Sequence, residues 1–210
     1  RHKIGAFENG VDADYFSPLR DYPDPYPPGV QGVVFTGAMD YWPNVDAVTW
    51  FAERIFPAIR DAVPGAQFTI VGSRPGEAVR ALARQPGVVV TGSVPDVRPY
   101  LAHAVCAVAP LRIARGIQNK VLEAMAMARP VVASAQAAEG IRAEAGRDFI
   151  PAQDAAGFAR AVIALLRAPA AAAAARDCIL AHYDWTRNLS AIDGLFEAAP
   201  AAAALETCPA

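Results

Sequence analysis

CAVAPLRIARGIQNKVLEAMAMARPVVAS, residues 106–134, is the stretch that decides the fold. A short apolar run leads through a glycine-containing loop into a helix-like pattern, which stops at Arg129-Pro130 before a second apolar run. Apolar runs of this length, bounded by turn residues, read as strands buried on both faces. A helix joining two such strands makes a parallel crossover unit. One residue is out of place in this reading. Glu123 stands in an alanine-rich, apolar helix, three positions after Lys120.

Working outward, the same grammar repeats. VVFTG (33–37), FTIVG (68–72) and VVVTG (88–92) precede the quoted unit, and DFIPA (148–152) follows it. Between them lie helical patterns. One starts near Pro43-Asn44, with Val45, Val48, Phe51, Ile55 and Ile59 on one face; others run from about Pro75 to Arg84 and from Asp96 to Ala102. Helices at 154–167, 170–183 and 187–199 close the chain. The expected fold is α/β: a Rossmann-like, three-layer domain with a parallel sheet of about six strands. The expected boundaries are a proline-rich linker over 1–30, the domain over 31–186, and a helix with a flexible tail over 187–210.

Composition narrows the function. The chain has 210 residues and a formal net charge of −2, so no basic field points to nucleic acid or an anionic membrane surface. Cys106, Cys178 and Cys208 have no CxxC spacing and fit a reducing compartment; His2, His103 and His182 are scattered. No run approaches the roughly 18 apolar residues of a membrane span. The start, RHKIGAFENG, has no apolar signal core and no initiator Met, so a fragment of a longer protein is expected.

Three strands end in glycine, at Gly37, Gly72 and Gly92. At the carboxyl edge of a parallel sheet, glycine allows a tight turn and a close ligand, although any one of them could be only a turn residue. The loop from Leu111 to Gln118 enters the quoted helix at that edge, where free N–H groups favour an anion. Lys120 in the first turns is unfavourable to the helix dipole unless an anion meets it. Glu123 shares its face and is suited to accept hydrogen bonds from two ribose hydroxyls. An ordinary solvent-facing Lys/Glu pair is the plain alternative, but Ala124, Ala126 and Ala128 suggest close packing there.

KVLEAMAMARPVVAS (120–134) resembles the helix–strand signature of retaining, nucleotide-sugar-dependent glycosyltransferases of family four, which have the two-domain GT-B fold. FENGVDADYFSP (7–18) is similar to the linker into the second domain of that family, and VVFTGAMDYWPNVDAVTWF (33–51) to the opening unit of one subgroup. FTIVGSRP, VVVTGSVPDVRPYL and CAVAPL follow in the family's order, so the resemblance covers roughly 7–190.

The resemblance implies the carboxyl-terminal, donor-binding half of a glycosyltransferase. A glycan or lipid-linked acceptor would bind the other half, and the fragment alone would be inactive. Glu123 takes the place of the family's ribose-binding glutamate. Gly116, Ile117 and Gln118 take that of the loop meeting the diphosphate, with Gly37 and Ala38 facing it. Ser73 and Arg74 approach the nucleotide, and Val94 its base. Arg115 and Lys120 stand where catalytic charge is expected. Transfer would retain the anomeric configuration, with a nucleoside-diphosphate sugar as donor, no further cofactor and no metal. Surface-glycan or exopolysaccharide synthesis in the cytoplasm, in part at the inner membrane face, is the setting implied.

Two departures stand out. The family's second glutamate would fall at Arg115, and its basic pair in the first loop is replaced by Met39-Asp40-Tyr41-Trp42. Phosphate binding then passes to Lys120, Arg115, Arg112 or helix amides. A sugar-nucleotide epimerase of the same architecture and a non-catalytic binding module are the competing readings. A dinucleotide enzyme is disfavoured, because GAMDYW (37–42) stands where a G-x-G-x-x-G would be needed.

Overall fold

The computed structural model describes residues 9–190. Its six strands are β1 (Gln31–Thr36), β2 (Ala66–Val71), β3 (Val88–Gly92), β4 (Cys106–Ala109), β5 (Val131–Ala133) and β6 (Ile150–Pro151). All pair in parallel, in the order β3-β2-β1-β4-β5-β6. That is the doubly wound arrangement, in which the chain leaves β1 in one direction across the sheet and resumes on its other side at β4. β1 and β4 are solidly buried, as helices on both faces require. The expected fold class is what is found.

The helices are α1 (Trp42–Trp50), α2 (Phe56–Ala62), α3 (Glu77–Ala81), α4 (Arg98–His103), α5 (Asn119–Ala126), α6 (Ala135–Ala138), α7 (Ala155–Arg167) and α8 (Ala173–His182). The apolar stripe from Val45 to Ile59 reads as one helix, but the structure divides it. Residues Phe51–Ile55 form a π-helical turn between α1 and α2. Pro57 explains the division: it has no N–H to return to Glu53, so the ladder widens by one residue just before it. The wider turn still buries Phe51, Ala52, Ile55 and Phe56 together. Phe51 packs on Phe68 of β2, with ring centroids 4.5 Å apart.

Helix α6 has no counterpart in the apolar pattern. Ser134 starts it by accepting from the Ala137 N–H. α8 begins at Ala173, three residues later than the alanine run suggests. α7 begins under Asp154, which caps it through the Gly157 N–H at 2.7 Å.

Residues 9–30 form a strap of turns laid against the sheet domain, not an extended tether. Tyr26 is buried over Gly32 and donates from its hydroxyl to the Tyr100 carbonyl at 3.0 Å. Val11 pairs with the segment after α8: its N–H donates to the Tyr183 carbonyl, and the Trp185 N–H to its own carbonyl. The helix expected over 187–199 has begun by residue 185, and Trp185 lies half-covered on Gly10. Leu195 and Phe196 of that expected helix lie outside the described residues.

Candidate functional site

Crossing from β1 to β4 reverses the direction of winding, and the crevice this opens lies beyond the carboxyl ends of the strands. A cavity of about 620 Å³ occupies that edge. Thr36 at the end of β1 with Gly37 and Ala38 after it, Gly72 and Ser73 after β2, and Ser93 and Val94 after β3 line one side. Ile117 from the loop before α5, and Asn119, Lys120 and Glu123 from its first turns, line the other.

Two of the strand-end glycines have a reason the sequence does not reveal. A Cβ on Gly72 would stand 1.6 Å from the Gly37 carbonyl oxygen. The first two loops therefore touch backbone to backbone, and Gly72 is required by its neighbour, not by a ligand. At Gly37 a Cβ would meet the Asn44 amide at 2.7 Å and the Lys120 side chain at 3.4 Å.

Lys120 and Glu123 carry the electrostatics. Burial lowers the Lys120 ammonium to a pKa of about 8, and the attraction of Glu123 opposes the shift without cancelling it. Burial raises the Glu123 carboxyl, again against the pull of Lys120. Each group is thus poorly solvated and incompletely compensated by the other. The ammonium also lies 5.3 Å above the Phe35 ring and 3.4 Å from the Gln118 amide oxygen. The Glu123 carboxylate accepts no hydrogen bond among the described residues.

The remaining expected site residues separate into two groups. Gly37, Ala38, Ser73, Val94, Ile117, Lys120 and Glu123 meet around the cavity; Arg74, Arg115, Gly116 and Gln118 do not line it. Arg74, at a positive φ of 53°, turns away and pairs with Asp40 at 2.9 Å. Arg115 is exposed on the loop. Gln118 braces that loop, donating to the Gly116 carbonyl at 3.0 Å while its oxygen faces Lys120. Arg112, one of the alternatives for phosphate, is paired with Asp46 and rests over the Trp50 ring. Among the described residues, Lys120 is the cation that lines the cavity.

Sequence reasoning missed Asn44 and Asn119. Asn44 is buried at the start of α1, where its amide donates to the Ala38 carbonyl at 2.9 Å and fixes the first loop. Its own oxygen is enclosed without a partner. The polar break it makes in an otherwise apolar helix face was the available signal. An Asp-x-Asp tripeptide occurs at Asp12-Ala13-Asp14, but the Asp12 carboxylate accepts the Asp14 and Tyr15 N–H groups and closes a turn.

The glycosyl transferases group 1 family model matches residues 30–168, and the chain belongs to that family. No curated protein sequence matches it significantly. Among solved structures it is similar to a glycosyltransferase from Rickettsia africae (17% identity, TM-score 0.72), over 93% of this chain and 57% of that one. It is also similar to HepE of Anabaena, solved with UDP and glucose (15%, TM-score 0.71; 91% of this chain, 56% of that one). Sucrose-phosphate synthase of Thermosynechococcus elongatus is similar at 20% identity and TM-score 0.68, covering 90% and 51%. The chain thus spans little more than half the length of these structures, and it has the fold of the carboxyl-terminal half of a GT-B glycosyltransferase.

Proposed function

We propose that this domain binds the nucleoside-diphosphate sugar of a glycosyltransferase, and that Glu123 accepts hydrogen bonds from the nucleotide ribose. One observation carries the reading. At the switch-point crevice of a family member's sheet, a desolvated carboxylate and a desolvated ammonium share one cavity, the carboxylate with no hydrogen bond among the described residues and the ammonium with a long one to Gln118. The two groups match the two ends of the ligand. Hydroxyls would supply Glu123 with donors, and a diphosphate would supply Lys120 with charge. The small residues after β2 and β3 leave room for a base beside Val94.

In the whole protein, a second domain preceding the strap would hold a glycan or lipid-linked acceptor. Sugar transfer would then occur between the halves, with retention and without a metal, in surface-glycan synthesis. Residues 1–30 would connect the halves, and residues 1–210 alone would bind donor without transferring it. The chain's own contribution is positioning and charge: Lys120 offsets negative charge developing on the leaving diphosphate. HepE, similar in fold, is a protein solved with UDP and with UDP-glucose, which supports the same ligand class here.

The test is calorimetric titration with UDP, GDP and ADP, repeated on Glu123→Gln. The variant should lose on the order of 1.5–3 kcal/mol of binding, the worth of hydrogen bonds to a charged group. Equal affinity in a folded variant removes Glu123 from the ribose.

A further inference from the structure

One lining residue of the cavity is tied to a distant part of the chain. Asn119, the first residue of α5, accepts a hydrogen bond from the side-chain amide of Asn9, 110 residues earlier in the strap. The orientation of both amides follows from a single backbone group. The Gly10 N–H donates to Asn9 Oδ1 at 3.0 Å. A backbone N–H can only donate, so the oxygen of the Asn9 amide must face it and the NH2 must face the other way. That NH2 meets Asn119, so Asn119 turns its oxygen toward the strap. Its own NH2 is left with no acceptor among the described residues, on a side chain that lines the cavity next to Lys120.

The strap cannot easily give way. Asn9 accepts from Asn188 at its backbone carbonyl. Val11 is held by Tyr183 and Trp185. Arg176 clamps the strap further along, donating to the carbonyls of Ala13 and Phe16.

We propose that Asn119 donates a hydrogen bond to an anionic oxygen of the ligand, and that Asn9 is its positioning residue, holding the NH2 end toward the cavity. On the reading above, which this inference extends, the oxygen belongs to the diphosphate. Two N–H donors beside an ammonium at a helix start complement an anionic oxygen better than a neutral acceptor of the base or ribose.

The inference is tested on the 210-residue chain by titration with whichever of UDP, GDP and ADP binds most tightly, and with the matching nucleoside. Asn119→Asp puts a carboxylate against the phosphate and should lower diphosphate affinity by at least about 30-fold, and Asn119→Ala by about 5–10-fold, with nucleoside affinity unchanged. Asn9→Asp is the sharper variant. Its carboxylate would accept the Asn119 NH2, turn that amide over and present its oxygen to the cavity, for a loss of about 5-fold or more with Asn119 intact. Should Asn9→Asp fail to fold, Asn9→Ala replaces it, with an expected loss of about 2–3-fold. Diphosphate affinity unchanged in Asn119→Asp, or nucleoside and diphosphate weakened alike, overturns the inference and leaves the nucleotide site standing. A wild-type chain that binds none of the three diphosphates overturns both.

Discussion

Ala128 occupies a conformation that its side chain does not favour. It has a φ of 52°, while the Arg129 N–H returns to the Ala124 carbonyl and the Ala128 N–H to Met125. These bonds form the Schellman closure of α5, whose left-handed position normally belongs to glycine. Ala128→Gly should therefore stabilise the domain by about 0.5–1 kcal/mol, since relief of the left-handed strain exceeds the added freedom of the unfolded chain. Denaturant midpoints of the two proteins check this. The burial of Lys120 makes nucleotide binding sensitive to pH. A bound diphosphate would draw its pKa upward from about 8, so the complex holds more protons than the free protein above that pH. Affinity should then fall as pH rises through 8, by no more than tenfold per unit, with proton uptake measurable by titration in buffers of differing ionisation enthalpy. A flat profile from pH 7 to 10 would remove Lys120 from the phosphate. Glu123 and Lys120 were legible as residues because their spacing sets them on one helical face. The link between Asn9 and Asn119 was not, because nothing local in either segment reports a hydrogen bond 110 residues long.

Six apolar runs announced six strands; the central β1 and β4 are apolar because both faces are covered, while the edge strands β3 and β6 are only partly buried. Their order was not written in any run, because it depends on crossover packing between distant segments. The π-helical turn at Phe51–Ile55 was hidden by its own success. It keeps Phe51, Ile55 and Ile59 on the buried side, so the apolar spacing resembles that of an uninterrupted helix. The Thr36-Gly37 and Val71-Gly72 endings suggest room for a ligand, whereas the structure gives Gly72 to the loop beside it. Gly72→Ala should push the first loop outward. We expect a stability loss of about 1–3 kcal/mol, as for overpacking elsewhere, together with weaker nucleotide binding. A thermal melt and a titration of the same sample decide it: full affinity and an unchanged melt would mean that the two loops yield freely.

In the molecule as a whole, the strap and α8 converge on the helix that supplies the cavity's charged groups. Arg176 of α8 donates to carbonyls of the strap and to that of Ala126 at the close of α5. Asn9 reaches the opening of the same helix. Both ends of α5 are thus held by elements outside the sheet. The sequence hinted at this only through the length of the family resemblance, which began well before β1. The central claim is that Glu123 binds the ribose of a nucleoside diphosphate at the switch-point crevice. Its most direct test is a cycle of four affinities: wild type and Glu123→Gln, each with the preferred nucleoside diphosphate and with its 2′,3′-dideoxy analogue. If Glu123 holds those hydroxyls, removing them weakens the wild type markedly and the variant hardly further, leaving a coupling on the order of 1 kcal/mol or more. Equal losses in both proteins would place the ribose elsewhere and contradict the account.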